Sequence, residues 1–94
     1  MSTLDQIVIR IIKEQELIVG PVAWSEARKV SGIRIINQKT GELVIEGSDS
    51  RIVVDHLVEQ YQQLFGRASK EVCKDAAATL LADLSPTEIP SSLV

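Results

Sequence analysis

Apolar residues recur at helical spacing in two long stretches of this chain. Leu4, Ile7, Val8, Ile11 and Ile12 fall three and four positions apart, which predicts an amphipathic helix with one buried stripe. Thr3 followed by Gln6 suits a capping box at its start. Gly20 and Pro21 end it near Val19, because glycine closes a helix in the left-handed region and proline has no N–H to continue the ladder. Pro21 also suits the first turn of a second helix. Its short stripe is Val22 or Ala23, then Ala27 and Val30, with Glu26, Arg28 and Lys29 left for solvent and Ser31-Gly32 as its end. Runs rich in β-branched residues follow at 33–36 and 43–45, separated by a loop in which Gly41 suits the positive-φ position of a hairpin. Ile33, Ile35, Leu43 and Ile45 make one face apolar, while Ile36 and Val44 break the alternation. Ser48-Asp49-Ser50 offers N-caps for a third helix that carries Val54, Leu57, Val58, Tyr61, Leu64 and Phe65 up to Gly66. From Ala68 the positions Val72, Cys73, Ala76, Ala77, Leu80, Leu81 and Leu84 line a fourth helix, stopped by Ser85-Pro86. Residues 86–94 read as a flexible tail, in which Ile89, Leu93 and Val94 are the candidates for docking.

The two helical stretches match each other. Ile18-Val19-Gly20-Pro21-Val22-Ala23 reappears as Leu64-Phe65-Gly66-Arg67-Ala68-Ser69. Upstream, Ile7, Val8, Ile11 and Ile12 fall opposite Val53, Val54, Leu57 and Val58. Downstream, Ala27 and Val30 fall opposite Cys73 and Ala76. A conserved apolar phase around one glycine is what two copies of a helix–break–helix unit would share. The expectation is an α+β domain over residues 1–85, in the order α-α-β-β-α-α, with two related helical hairpins about a pseudo-two-fold axis and a β-hairpin between them. Its predicted main core is Val54, Leu57, Val58, Leu64, Val72, Ala76 and Leu80, joined by Ile7, Val8, Ile11 and Ile12.

With 94 residues the chain has room for one core and not two. Its apolar share comes from Ile, Val, Leu and Ala, with a single Trp24, Tyr61 and Phe65, a palette that suits close helix packing. A net charge of −3 disfavours a nucleic-acid partner, since a polyanion calls for surplus Lys and Arg on one face. Lone Cys73 excludes an internal disulfide and fits a reducing, cytoplasmic setting. The apolar run over 7–19 is interrupted by Arg10, Lys13, Glu14 and Glu16, so it reads as neither signal peptide nor membrane span.

Candidate chemistry is sparse. His56 is the single histidine, and Asp55 beside it points elsewhere on a helix, so the pair makes no dyad. Cys73 falls on the apolar stripe of the fourth helix and reads as a small buried hydrophobe. One histidine and one cysteine supply too few metal ligands, and no phosphate-cradling glycine motif occurs. No cofactor is expected. Arg67, Lys70 and Lys74 line one face at the start of the fourth helix, where the dipole favours negative charge. They form a possible interaction site, with Arg28 and Lys29 in the related place of the first copy. Trp24 lies off its helix's stripe and is either an exposed interface anchor or packed against the hairpin.

Gly20-Pro21-Val22-Ala23 resembles the Gly-Pro-x-Ala turn of helical hairpins appended to bacterial signalling proteins. Gly66-Arg67-Ala68 is similar without the proline. The resemblance implies an accessory role in a bacterial regulatory system and carries no catalytic residue. The expected function is therefore a protein-interaction or regulatory module without catalytic activity. Two rivals remain: a nucleic-acid-binding domain presenting Trp24, Arg28 and Lys29 from a 22–30 helix, and a small ligand-binding protein or enzyme at a dimer cleft with His56 or Tyr61. A homodimer is expected, through the fourth helix or the hairpin edge, alongside a protein partner.

Overall fold

The computed structural model describes residues 2–46 and 49–94, which form four α-helices and a two-stranded hairpin in the predicted order. Helix α1 spans Thr3–Val19. Its cap is Ser2, one residue before the expected Thr3: the Asp5 N–H donates to Ser2 Oγ at 3.1 Å and the Ser2 N–H donates back to the Asp5 carboxylate. Asp5 draws the box forward because its carboxylate both accepts that bond and sits at the positive end of the helix. Ile7, Val8, Ile11, Ile12 and Gln15 are buried. Gly20 ends α1 at φ +80, its N–H donating to Glu16 O.

Helix α2 spans only Val22–Ala27, short of the expected Ser31-Gly32. After Ala27 the chain tightens, with the Lys29 N–H reaching Glu26 O and the Val30 N–H reaching Ala27 O. These i→i+3 turns keep Ala23, Ala27 and Val30 buried while steering the chain into the hairpin. Strands β1 (Ile33–Asn37) and β2 (Glu42–Ile45) pair antiparallel, with Ile33 opposite Ile45 and Ile35 opposite Leu43. The register shifts between Ile35 and Asn37. Ile36 is the extra residue of that bulge and is turned outward, which explains the break in alternation. Gly41 takes the expected positive φ.

Helix α3 spans Ser50–Phe65. Asp49 caps it by accepting from the Arg51 N–H; of the other two proposed caps, Ser50 is the first helical residue and Ser48 lies outside the described residues. Its buried stripe is Val53, Val54, Leu57, Val58 and Tyr61. Helix α4 spans Arg67–Leu81, and tight turns replace its expected last residues 82–84. Helix α1 packs along α4 and against α2, α3 packs on α4 and α2, and β2 lies on α1.

The core is broader than expected on one side and narrower on the other. Trp24 and Tyr61 are its largest side chains, so of the two alternatives for Trp24, exposed anchor or packed inside, the structure shows a buried residue and not the anchor. Its indole N–H donates to Glu16 Oε2 at 2.9 Å, which satisfies the one polar atom that burial would leave costly. Leu64, by contrast, is 51% exposed, and Val72 and Leu80 are half-buried. On α3 the rings of Tyr61 and Phe65 stack at 6.4 Å, while Leu64, two turns beyond Leu57, keeps the phase of the stripe but sits in the last turn of the helix and is left to solvent. The segment expected as a flexible tail folds into two 3₁₀ turns, Pro86–Glu88 and Ser91–Leu93. Pro90 and Leu93 are buried, and Asp55 accepts from the Ser92 N–H and from both Ser91 and Ser92 hydroxyls.

One pair of hydrogen bonds ties the halves together. Gln15 Nε2 donates to Ser69 O at 3.0 Å, and Tyr61 Oη donates to Ala23 O at 2.7 Å. Gln15 and Tyr61 are 46 positions apart in sequence, as are Ala23 and Ser69. Helix α1 thus reaches the first turn of α4, and α3 the first turn of α2. The glycine junctions also match. Gly66 has φ +87 and ψ −176 against +80 and −162 at Gly20. The N–H of each bonds the carbonyl four residues back, and the carbonyl of each accepts from the N–H three residues on.

Candidate interaction surface

Among the described residues five large apolar side chains are exposed on the helices: Leu17, Ile18 and Val22 flank Gly20, and Ile52 and Leu64 lie on α3. Leu17 is 80% exposed and Ile18 64%, with Val22 also exposed across the turn. Leu17 lies off the buried stripe at positions 7, 8, 11, 12 and 15, whereas Ile18 keeps its phase, seven residues beyond Ile11, and is exposed in the last turn of α1. The Gly66 junction offers Gln63, Leu64 and Ala68 at the matching places. One large apolar residue stands there, beside a polar and a small one.

Ile18 also borders a groove of about 370 Å³ between α1 and α4. Arg10, Glu14 and Ile18, each one turn apart, form one wall; Val72, Asp75 and Ala76 form the other. Arg10 donates to Thr79 Oγ1 at 3.0 Å. A second depression of about 340 Å³ continues it along α1, sharing Arg10 and Glu14 and reaching Lys13 and Leu80.

A groove of about 230 Å³ lies between the second helical segment and α3, bordered by Lys29, Val30, His56 and Gln60. These four fall at the sequence-matched positions of Asp75, Ala76, Arg10 and Glu14. Here the chain fills its own groove. Glu26, at the place matched by Val72, is buried and accepts from Lys29 Nζ and from Gln60 Nε2, each at 2.9 Å. Those two donors, Lys29 first, hold the Glu26 carboxyl below its usual range, because both bonds favour the ionised form.

The expected interaction residues do not converge. Trp24 is in the core, Lys29 is held by Glu26, and Arg28 donates to Gln38 Oε1. The helix expected over 22–30 is corrected to the six residues of Val22–Ala27, with Trp24 buried. Arg67 is exposed at the first residue of α4, with Lys70 and Lys74 half-buried beyond it. Of the residues assigned to a cleft, His56 is exposed and borders the polar groove, whereas Tyr61 is buried away from it. Burial pushes the Tyr61 hydroxyl up, and pushes the Cys73 thiol up to about 11, so at neutral pH both are un-ionised core groups. Gln15 Nε2 lies 3.4 Å from Cys73 Sγ, while Gln15 Oε1 is left without a partner among the described residues.

Sequence reasoning missed Leu17, Ile18 and Glu26. A signal for Leu17 was present, since it falls off the stripe that Ile7 to Ile12 define, whereas Ile18 continues that stripe and its exposure in the last turn of α1 has no signal in the spacing. For Glu26 there was none, because its burial depends on Gln60 from a distant helix. Among the described residues, no group of three His, Cys, Asp or Glu side chains gathers to hold a metal, and no helix is long and apolar enough to cross a membrane. No family model matches the chain, and no curated protein or solved structure matches it.

Proposed function

We propose that this protein is a non-catalytic protein-interaction module built from two copies of one helix–glycine–helix unit about a pseudo-two-fold axis, with the Gly20 junction as its docking face. The observation that carries the reading is the exposure of Leu17, Ile18 and Val22 where the matched junction has Gln63, Leu64 and Ala68. The two junctions have the same backbone form, so the form itself does not call for leucine at 17 or valine at 22. Exposed apolar groups beyond what the fold uses mark a surface that another molecule covers. The reciprocal bonds from Gln15 and Tyr61 support the two-fold relation. A single free thiol kept in the core suits a cytoplasmic accessory of a regulatory system.

The test is affinity capture from the native host with wild-type and Leu17→Gln/Ile18→Gln baits. A partner retained by the wild type and lost by the variant supports the reading, and identical captures by both contradict it.

Self-association belongs to the same reading and is assigned to the hairpin. Ala76 and Ala77, the small residues considered for a helix-four interface, are buried within the chain itself, so Ala77→Glu would disrupt the fold and not an interface. Ile36 is exposed on a sheet of two strands, each with one unpaired edge. Sedimentation equilibrium at micromolar concentration should show a dimer that Ile36→Lys dissociates. A monomer throughout would refute the dimer.

A further inference from the structure

We infer that the α1–α4 groove receives a cationic amphipathic helix of a partner protein, with apolar side chains over Ile18 and Val72 and Lys or Arg beside Glu14 and Asp75. The inference rests on the docking face proposed above and adds the chemistry of what docks there.

The two matched grooves differ in a consistent direction. The groove beside α3 contains its own cation and carboxylate, since Lys29 and Gln60 are both engaged by buried Glu26. In the groove between α1 and α4, each of those three residues is changed. Val72 replaces Glu26 and makes the wall apolar. Asp75 replaces Lys29, and Glu14 replaces Gln60. Lys29 has no cationic counterpart, and two exposed carboxylates flank an apolar strip that ends on Ile18, with Arg10, where the other groove has His56, as the cation lining this groove among the described residues. Among the described residues neither Glu14 nor Asp75 has a cation within ion-pair distance, and Arg10 turns to Thr79.

Charge selects the occupant. A second copy docked through the same strip about a two-fold axis would bring both pairs of carboxylates together, and like charges across a contact are unfavourable. A helix with cations flanking an apolar stripe meets Glu14 and Asp75 with opposite charge, while Arg10 is turned to Thr79. An apolar face laid into a groove between two helices is a recurrent recognition mode, read through anchors at i, i+3, i+4 and i+7.

The test uses two labelled synthetic helical peptides of about four turns, each with the same leucine stripe, one flanked by lysine and the other by glutamate. Fluorescence anisotropy at low salt is read for the wild type, for Glu14→Gln/Asp75→Asn and for Leu17→Gln/Ile18→Gln. All substitutions are at exposed positions, and circular dichroism confirms that each variant is folded. The wild type should bind the lysine peptide about tenfold more tightly than the glutamate peptide. The carboxylate variant should lose that preference, and the apolar variant should lose both peptides. Equal binding of both peptides by the wild type, with loss in the apolar variant, would overturn the charge inference and leave the docking face standing. Failure of both peptides to bind, or binding indifferent to Leu17 and Ile18, would overturn the inference and the docking face together. Self-association of the wild type that Leu17→Gln/Ile18→Gln abolishes would assign the groove to a second copy and also overturn it.

Discussion

Leu57 lies fully buried on the inner stripe of α3, so truncating it removes apolar contacts that the surrounding helices cannot recover. Leu57→Ala should cost about 2–5 kcal/mol in urea unfolding, and a cost near zero would contradict its place in the core. The buried polar residues carry a second expectation. Burial raises the Cys73 thiol from an ordinary value of 9.0 to about 11, and raises the Tyr61 hydroxyl as well. The unfolded chain releases these protons at lower pH than the native one, so stability is level below the unfolded values and falls as pH rises through about 9 to 11. Urea midpoints at about pH 8 and 10.5 should show that fall, and Cys73→Ala should flatten it; an unchanged fall in the variant would contradict the role of the thiol. Residues of this kind were unequally legible. The stripe at Ile7, Val8, Ile11 and Ile12 follows from spacing alone. The burial of Trp24 does not, because it depends on Glu16 from the preceding helix accepting the indole N–H.

At the scale of elements, the matched junctions make a quantitative statement. Gly20 and Gly66 share a region of φ and ψ that L-residues rarely enter, and a Cβ built on either meets nothing within 4 Å. The penalty for replacing them is therefore backbone strain without steric clash. Gly20→Ala and Gly66→Ala should each cost about 1–3 kcal/mol and should cost nearly the same. Thermal or urea unfolding of the two variants checks this, and a large difference between them would contradict the equivalence of the junctions. Element order, the hairpin and both glycine breaks were legible because each has a local cause: apolar period, β-branched runs, a residue free to adopt positive φ. The end of α2 was not, since its tight exit turns answer to the strand that follows. The turns at Pro86–Glu88 and Ser91–Leu93 were equally hidden, as they are held by Arg51 and Asp55 on α3.

For the whole molecule, the two halves are alike in their framework and different in their surfaces. The framework is the buried stripes, the glycine junctions and the reciprocal bonds of Gln15 and Tyr61. The surfaces diverge at Leu17 against Gln63, Val22 against Ala68, Glu14 against Gln60 and Asp75 against Lys29. Under the proposed function, the first set serves stability and the second recognition. The exposed surface could not be read from spacing, because a residue off the stripe is visible in sequence but the groove beside it requires α4 to lie along α1. Equilibrium urea unfolding of Leu17→Gln/Val22→Ala, which copies the second junction onto the first, tests the division most directly. The account predicts stability within about 0.5 kcal/mol of the wild type, as for exposed positions outside the core. A loss of about 2 kcal/mol or more, the scale of a core truncation, would make these residues part of the framework and contradict their assignment to a docking face.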